Sequence, residues 1–230
     1  NDTTGLSSGS EFPSGTTILE YKITDVNGLV FIDTFTITVI DEELPIVNCP
    51  SDVTFNTDAG LCTAKYDYQV VATDDCVSSP TLTWEMTGAA ILSGSGQIGD
   101  YDFPVGTTIV TFTVDDGGGN TDTCTSTVTV IDNENPVLTC PTPSTSYNTD
   151  IDTCTTSLTF VAIATDNCDS NPTIAYSIAG TPIAFPYDFP IGNTEVDVIA
   201  NTSNGLTASC SFIVVVDDNQ DPVITCPTVA

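Results

Sequence analysis

The chain restates itself. Phe12-Pro13-Ser14-Gly15-Thr16-Thr17 returns as Phe103-Pro104-Val105-Gly106-Thr107-Thr108 and again as Phe189-Pro190-Ile191-Gly192-Asn193-Thr194. Pro45-Ile46-Val47-Asn48-Cys49-Pro50 returns as Pro136-Val137-Leu138-Thr139-Cys140-Pro141 and Pro222-Val223-Ile224-Thr225-Cys226-Pro227. Both sets step by 91 and then 86 residues. A third set, Ala72-Thr73-Asp74-Asp75-Cys76, reappears as Ala164-Thr165-Asp166-Asn167-Cys168. Repetition in register means several equal domains in tandem rather than one large core. The reading is the close of a truncated repeat over residues 1–43, complete repeats over 44–134 and 135–221, and the opening of a further one over 222–230. It implies a longer parent chain.

Within each repeat the apolar period is two. Val110, Phe112 and Val114 alternate with Thr111 and Thr113. Val196, Val198 and Ala200 take the same places in the next repeat, and Leu19, Tyr21 and Ile23 in the first. A turn follows, Asp115-Asp116-Gly117-Gly118-Gly119-Asn120 in one case. The last strand then puts Cys124, Ser126, Val128 and Val130 on one side. Strand spacing of this kind, with no sustained helical period, predicts about seven short strands per repeat. The fold class is all-β: tandem immunoglobulin-like antiparallel β-sandwiches, disulfide-bonded. Trp84, on the predicted third strand, reads as core packing.

Charge excludes several functions. Thirty-one Asp and Glu face two Lys, with no Arg and no His, for a net charge of −29. Phosphate contact needs Lys or Arg, so nucleic acid is not a partner. Attraction to an anionic membrane surface fails for the same reason. No apolar run is long enough to span a bilayer, and residues 1–5 lack the basic start of a signal peptide. Disorder, the usual reading of so acidic a chain, does not suit a hydrophobic fraction of 40% arranged in regular runs.

Nine Cys without His point to disulfides in an oxidising compartment, not to zinc. They fall as Cys49, Cys62, Cys76 and Cys124 in one repeat, Cys140, Cys154, Cys168 and Cys210 in the next, and Cys226 alone. Cys62 and Cys76 bracket one predicted strand, too extended for a direct bridge. The preferred pairing is Cys49–Cys76 with Cys62–Cys124, and Cys140–Cys168 with Cys154–Cys210. Cys49–Cys62 with Cys76–Cys124 is the alternative. Either way every bridge is expected to close within its own repeat.

The motifs in order are Pro-(Val/Ile)-x-Cys-Pro, then Gly-x-Cys or Thr-Cys, then Ala-Thr-Asp-(Asp/Asn)-Cys, then Phe-Pro-x-Gly-x-Thr, then Cys before a Val-rich strand. This pattern resembles the hyalin repeat, or HYR domain, over essentially the whole chain. Its four-Cys form looks like arrays in large Bacteroidetes surface adhesins, some linked to gliding. The resemblance implies an extracellular immunoglobulin-like module at the cell surface, working in adhesion or as a stalk. The first repeat departs from it, with Asp33 where the others carry the Cys of the last strand.

Carboxylates gather where repeats join. Asp41, Glu43, Asp132, Glu134, Asp218 and Asp221 lie at the junctions, Asp74, Asp75, Asp166 and Asp169 in the loop after the second strand, and Asp115 and Asp116 in the turn before the last. A sandwich brings these segments to one pole. Several carboxylates without His are a donor set that suits Ca²⁺, which would neutralise repulsion and stiffen the hinge. The competing reading is solvated loop charge, with Asp and Asn serving turns.

Catalysis has no support in these residues. Nucleophile–base pairs built on His are absent, the cysteines recur with the repeat, and acidic groups repeated at each junction do not behave like a single active site. Gly117–Gly119 is a turn rather than a phosphate cradle, because no Lys follows it. The leading function is therefore a structural repeat of an adhesin or filament stalk. Its partners are neighbouring repeats of the same long chain and lateral copies in a filament. A glycan- or protein-binding module is the second reading, and expects exposed aromatics among Tyr66, Tyr68, Trp84, Tyr101 and Tyr187. An accessory stalk of a larger secreted enzyme is the third.

Overall fold

The computed structural model describes residues 9–224 and 226. The readings made on residues 1–5, Thr225 and Pro227 lie outside the described residues. The chain divides into two compact units. One is Asn1–Phe55 with Ala64–Val130; the other is Asn56–Thr63 with Ile131–Ala230. Each is all-β.

The first unit holds a five-stranded sheet in the order Val53–Asn56, Thr121–Ile131, Gly106–Asp115, Thr81–Gly88, Leu92–Ser95. The facing layer is built from Ile46–Asn48 paired with Val71–Thr73, and Thr63–Tyr68 paired with Gly99–Pro104. Alternation explains the core. Val110, Phe112 and Val114 point inward and are fully buried, as are Val128 and Phe103, while the intervening Thr residues face out. Tyr68 fills the centre, stacked on Phe112 with ring centroids 5.7 Å apart. Its hydroxyl finds the hydroxyl of Ser126 on the opposite sheet, so a polar tip in the core is satisfied. Trp84 packs against this core, as its strand position predicts.

A hairpin, Gly15–Thr24 with Val30–Val39, belongs to the same unit. Its strands take the sequence register of Gly106–Asp115 and Thr121–Ile131. Only Leu19 is buried, and Tyr21, Ile23, Phe31 and Phe35 are exposed. Apolar alternation forms the ladder, but burial needs a second layer, and the hairpin has none among the described residues.

The second unit repeats the plan. Its sheet runs Tyr147–Asn148, Thr207–Asp217, Gly192–Asn201, Thr173–Ile178, Thr181–Ile183, with the first pair parallel. Val137–Thr139 with Ile163–Thr165 and Thr155–Leu158 with Tyr187–Pro190 face it. Val196, Val198, Ala200, Val214 and Phe189 are the buried centre. Tyr176 seals the layer with its hydroxyl, which accepts from Ala162 N at 2.7 Å.

The disulfide pairing differs from both expectations. Cys49 bonds Cys124 and Cys140 bonds Cys210, with Cα separations of 5.6 and 6.2 Å. The reason is topological. After Cys49 the chain turns into Val53–Asn56, which lies beside the last strand, and Thr127 N donates to Asp52 Oδ1 at 2.7 Å. The opening of the repeat therefore meets its end rather than its middle. Cys62 bonds Cys168, Cα to Cα 4.8 Å. Cys62 lies in the loop 56–63, which belongs to the second unit, so this bridge joins consecutive sequence repeats. The expectation that all bridges are internal to a repeat is thereby overturned, and the repeats are not covalently independent. Cys76, Cys154 and Cys226 are exposed thiols.

Candidate functional site

Three segments of the first unit converge on a carboxylate cluster. Asp41 lies just past the hairpin, Asp74 follows Val71–Thr73, and Asp116 follows Gly106–Asp115. One oxygen of each lies within 4.8 Å of the others, the one such group of three among the described residues.

Asp116 is buried and organises the turn. Its Oδ1 accepts from Gly118, Gly119 and Asn120 N at 2.7, 3.0 and 3.0 Å. Its Oδ2 accepts from Asn120 Nδ2 at 2.6 Å. Desolvation, the largest single influence, pushes the Asp116 carboxyl up, but the hydrogen bonds from Asn120, Gly118 and Gly119 together outweigh it and hold it below its ordinary value. It is thus an anion in a site that also holds Asp41 and Asp74. Asn120 Nδ2 donates at 3.1 Å to the Asp41 carbonyl, tying the last turn to the junction. Asp74 Oδ1 accepts from Cys76 and Val77 N. The donors are all oxygen, hard and anionic, which is the chemistry of Ca²⁺ rather than of zinc. The group would be held by Asp41, Asp74 and Asp116, with the turn pre-formed by hydrogen bonds.

Beside this cluster sits Cys76. Although its side chain is exposed, partial desolvation raises its thiol above the ordinary value, and the Asp41, Asp74 and Glu43 carboxylates raise it further.

The other predicted ligands are distributed differently. Asp115 Oδ1 accepts from Gly117 N, and Glu43 N donates to Asp41 Oδ1; Asp75 is exposed. At the next junction Asp132 is buried, and its carboxylate accepts from Asn204 Nδ2 at 2.9 Å and Glu134 N at 3.2 Å. Asp166 Oδ1 caps Cys168 and Asp169 N, while its Oδ2 is buried without a hydrogen-bond partner. Thr202 stands where the repeat over 44–134 has Asp116, so this junction lacks the third carboxylate. Asp169 accepts from Asn171 and Ser203 N, and these two bonds, in that order, lower its carboxyl against the opposing effect of desolvation. Asp218 Oδ1 accepts from Gln220 N, and Asp221 is exposed. Most of these carboxylates do the turn work that Asp does well.

Glu134 has a role the sequence reading missed. Its Oε1 accepts from Gly60 N at 2.8 Å, holding the loop that carries Cys62. Gln220 occupies the equivalent place and accepts from Asp152 N at 3.1 Å. A position filled by Glu in one repeat and Gln in the next serves as a neutral-tolerant acceptor, and that exchange is visible in the sequence.

The aromatics that a glycan platform would need are packed. Tyr66 lies against Phe55, Tyr68 is buried, Tyr101 meets Phe103 edge-on at 4.8 Å and Tyr187 meets Phe189 at 4.9 Å. No helix of the described residues is long and apolar enough to cross a membrane.

The chain is 34% identical over 229 residues to Hyalin of Lytechinus variegatus, covering 96% of this chain and 40% of the relative. It is 32% identical to Hyalin of Strongylocentrotus purpuratus, covering 95% of this chain and 18% of that protein. The chain thus spans well under half the length of the curated relatives it matches. Among solved structures, the four N-terminal immunoglobulin domains of Dscam1 isoform 6.9 align over 87% of this chain and 54% of that one, at 10% identity and a TM-score of 0.43. Residues 40–130, which contain the Cys49–Cys124 bridge and all three carboxylates of the cluster, are the part of the chain that matches the HYR domain family.

Proposed function

We infer that this chain is a structural piece of an extracellular HYR-repeat array that serves adhesion as a stalk. The observation that carries the reading is the Cys62–Cys168 bridge, which joins one sequence repeat to the next. Cross-links within and between repeats suit a chain that bears load and resists proteolysis outside the cell. Two Lys and no Arg leave few tryptic sites. The four-Cys pattern supports the narrower form of the reading, a Bacteroidetes-type surface adhesin or gliding filament. The sea-urchin relatives support the broader one, an extracellular array of HYR repeats.

Calcium at Asp41, Asp74 and Asp116 belongs to this proposal. The ion would neutralise three clustered anions and fix the entry to the repeat that begins at residue 44. Thermal unfolding with disulfides intact, in Ca²⁺ and in a chelator, tests it. A melting temperature that rises with Ca²⁺, and stops doing so in Asp116→Asn but not in Asp115→Asn, is the expected result. An unchanged temperature in the parent chain removes calcium from the reading. Specific glycan binding that is lost in Tyr101→Ala or Tyr187→Ala would replace the stalk by a ligand-binding module.

A further inference from the structure

The Cys62–Cys168 bridge has two halves, and each half is duplicated elsewhere in the chain with its thiol exposed. The loop that presents Cys62 is closed by Asp58 N to Thr63 O at 2.8 Å and Leu61 N to Asp58 O at 2.9 Å, and is fixed at its base by Thr57 N to Ile131 O at 3.0 Å. The loop that presents Cys154 has the same bonds: Asp150 N to Thr155 O at 2.8 Å, Thr153 N to Asp150 O at 3.1 Å and Thr149 N to Asp217 O at 3.1 Å. Both place a left-handed residue two positions before the cysteine, Gly60 at φ 71° and Asp152 at φ 61°. Glycine takes that conformation freely and Asp is among the side chains that tolerate it, so the loop shape survives the exchange. Glu134 and Gln220 receive those two residues' N–H groups.

The receiving half is duplicated too. Asp166 Oδ1 accepts from Cys168 N at 2.9 Å and Asp169 N at 2.7 Å. Asp74 Oδ1 accepts from Cys76 N at 2.9 Å and Val77 N at 2.6 Å. One position departs. Asn167 Nδ2 donates to the Leu61 carbonyl at 2.7 Å across the formed bridge, whereas the side chain of the equivalent Asp75 has no N–H to offer.

We propose that Cys154 and Cys76 are open halves of the same inter-repeat bridge, each taking as partner the equivalently placed cysteine of a further repeat of this kind. Every repeat then sends its second cysteine forward and receives its neighbour's with its third, and the array becomes a covalent ladder rather than a string of separately closed domains. Formation of each bridge removes one proton from each of two thiols and two electrons from the pair, and the electrons reduce a low-molecular-weight disulfide such as oxidised glutathione to two thiols. The inference rests on the tandem-array part of the reading above, and is independent of calcium.

The test extends the 230-residue chain, carrying Cys226→Ser, by a second copy of residues 135–221 inserted after Asp221, and oxidises it with oxidised and reduced glutathione. Peptide mapping under non-reducing conditions is expected to find Cys154 bonded to the Cys168 of the inserted copy, alongside Cys62–Cys168. Cys154 left alkylatable, or bonded elsewhere, while Cys62–Cys168 is present overturns the proposal alone. Loss of Cys62–Cys168 from the same map overturns the array reading with it. For Cys76, the Cys76→Ser and Cys154→Ser forms of the 230-residue chain, both with Cys226→Ser, are mixed with these thiols still reduced and then oxidised together by the same glutathione pair. Mixed dimers through Cys76 and Cys154 are expected to exceed homodimers at least ten-fold, and more strongly when Asp75→Asn restores the missing donor. Homodimers as abundant as mixed dimers, or no mixed dimers, overturn it.

Discussion

The indole of Trp84 lies where the side chain of residue 94 would be. Gly94 stands opposite Trp84 in the ladder, and a Cβ built on it would come within 2.4 Å of Trp84 Cζ2 and 2.8 Å of Cε2. The register continues from Trp84 to Phe112 and on to Cys124, so the glycine opens a row that ends at the disulfide. Glycine in a strand marks such close approaches.

Gly94→Ala is therefore expected to displace the indole and to destabilise the first unit by about 1–3 kcal/mol, the usual range for overpacking. Since Trp84 is the only tryptophan, its fluorescence reports the site directly. A red-shifted emission with a lowered melting temperature is the expected result. Gly117→Ala, in the exposed turn where a Cβ would meet nothing, is the control for backbone strain alone, because its φ is +79°.

Tyr68 governs the response to alkali. Burial raises its phenol above 10.0, the hydrogen bond with Ser126 works the other way, and Tyr66 and Asp52 add to the rise. A raised acid is stabilising while protonated. Its contribution is complete below 10.0 and is lost as pH climbs through the higher folded value. Ultraviolet titration is expected to show one of the seven tyrosines ionising only as the first unit unfolds. Tyr68→Phe removes that late step and leaves the buried Ser126 hydroxyl without its partner, at a cost of about 1–3 kcal/mol.

The acid limb is read at the hairpin. Asp25 Oδ1 accepts from Asn27 and Leu29 N, each at 2.8 Å. The Leu29 bond contributes most, desolvation opposes it, and the Asn27 and Gly28 bonds add to it, leaving the carboxyl below 3.8. A lowered carboxylate stabilises above its unfolded value and loses that contribution as pH falls through the folded one. Hydrogen exchange of the Asn27 and Leu29 amides, corrected for intrinsic rate, should stay constant from pH 7 to 5 and quicken only below about 4. Asp25→Ala should show the quickened rate at every pH.

Much of the architecture is legible from period two. Val110, Phe112 and Val114 alternate with Thr, and that alone places them inside. The same pattern misreads Tyr21 and Ile23, because alternation says which face is apolar and not whether another layer covers it. The carboxylate cluster was partly legible. Asp41, Asp74 and Asp116 were among twelve candidates, but the sequence does not separate carboxylates that meet from those that cap a turn, such as Asp218. Disulfide pairing was least legible. Spacing along the chain rules out a bridge across one strand, yet it carries no record of strand order, and strand order puts Cys49 beside Cys124.

Pairing also sets how far the oxidised chain can be pulled. Stretched between its ends, a cross-linked chain extends only along the shortest covalent path. With Cys49–Cys124 and Cys140–Cys210 closed, that path runs from residue 1 to 49, crosses the bridge, follows 124 to 140, crosses again and leaves from 210 to 230. Its full length is roughly 300 Å at about 3.5 Å per residue. Cys62–Cys168 offers no shorter route, so it leaves this limit unchanged. Either pairing expected from the sequence leaves an additional segment of each complete repeat extensible, and reaches roughly 400 Å. The reduced chain reaches roughly 800 Å. Force spectroscopy on the oxidised chain is expected to stop near the lowest of these lengths and to reach the highest on adding reductant. A limit near the middle value would mean that the opening of each repeat is not tied to its last strand, and the load would then pass through the sandwich core instead of along the bridges.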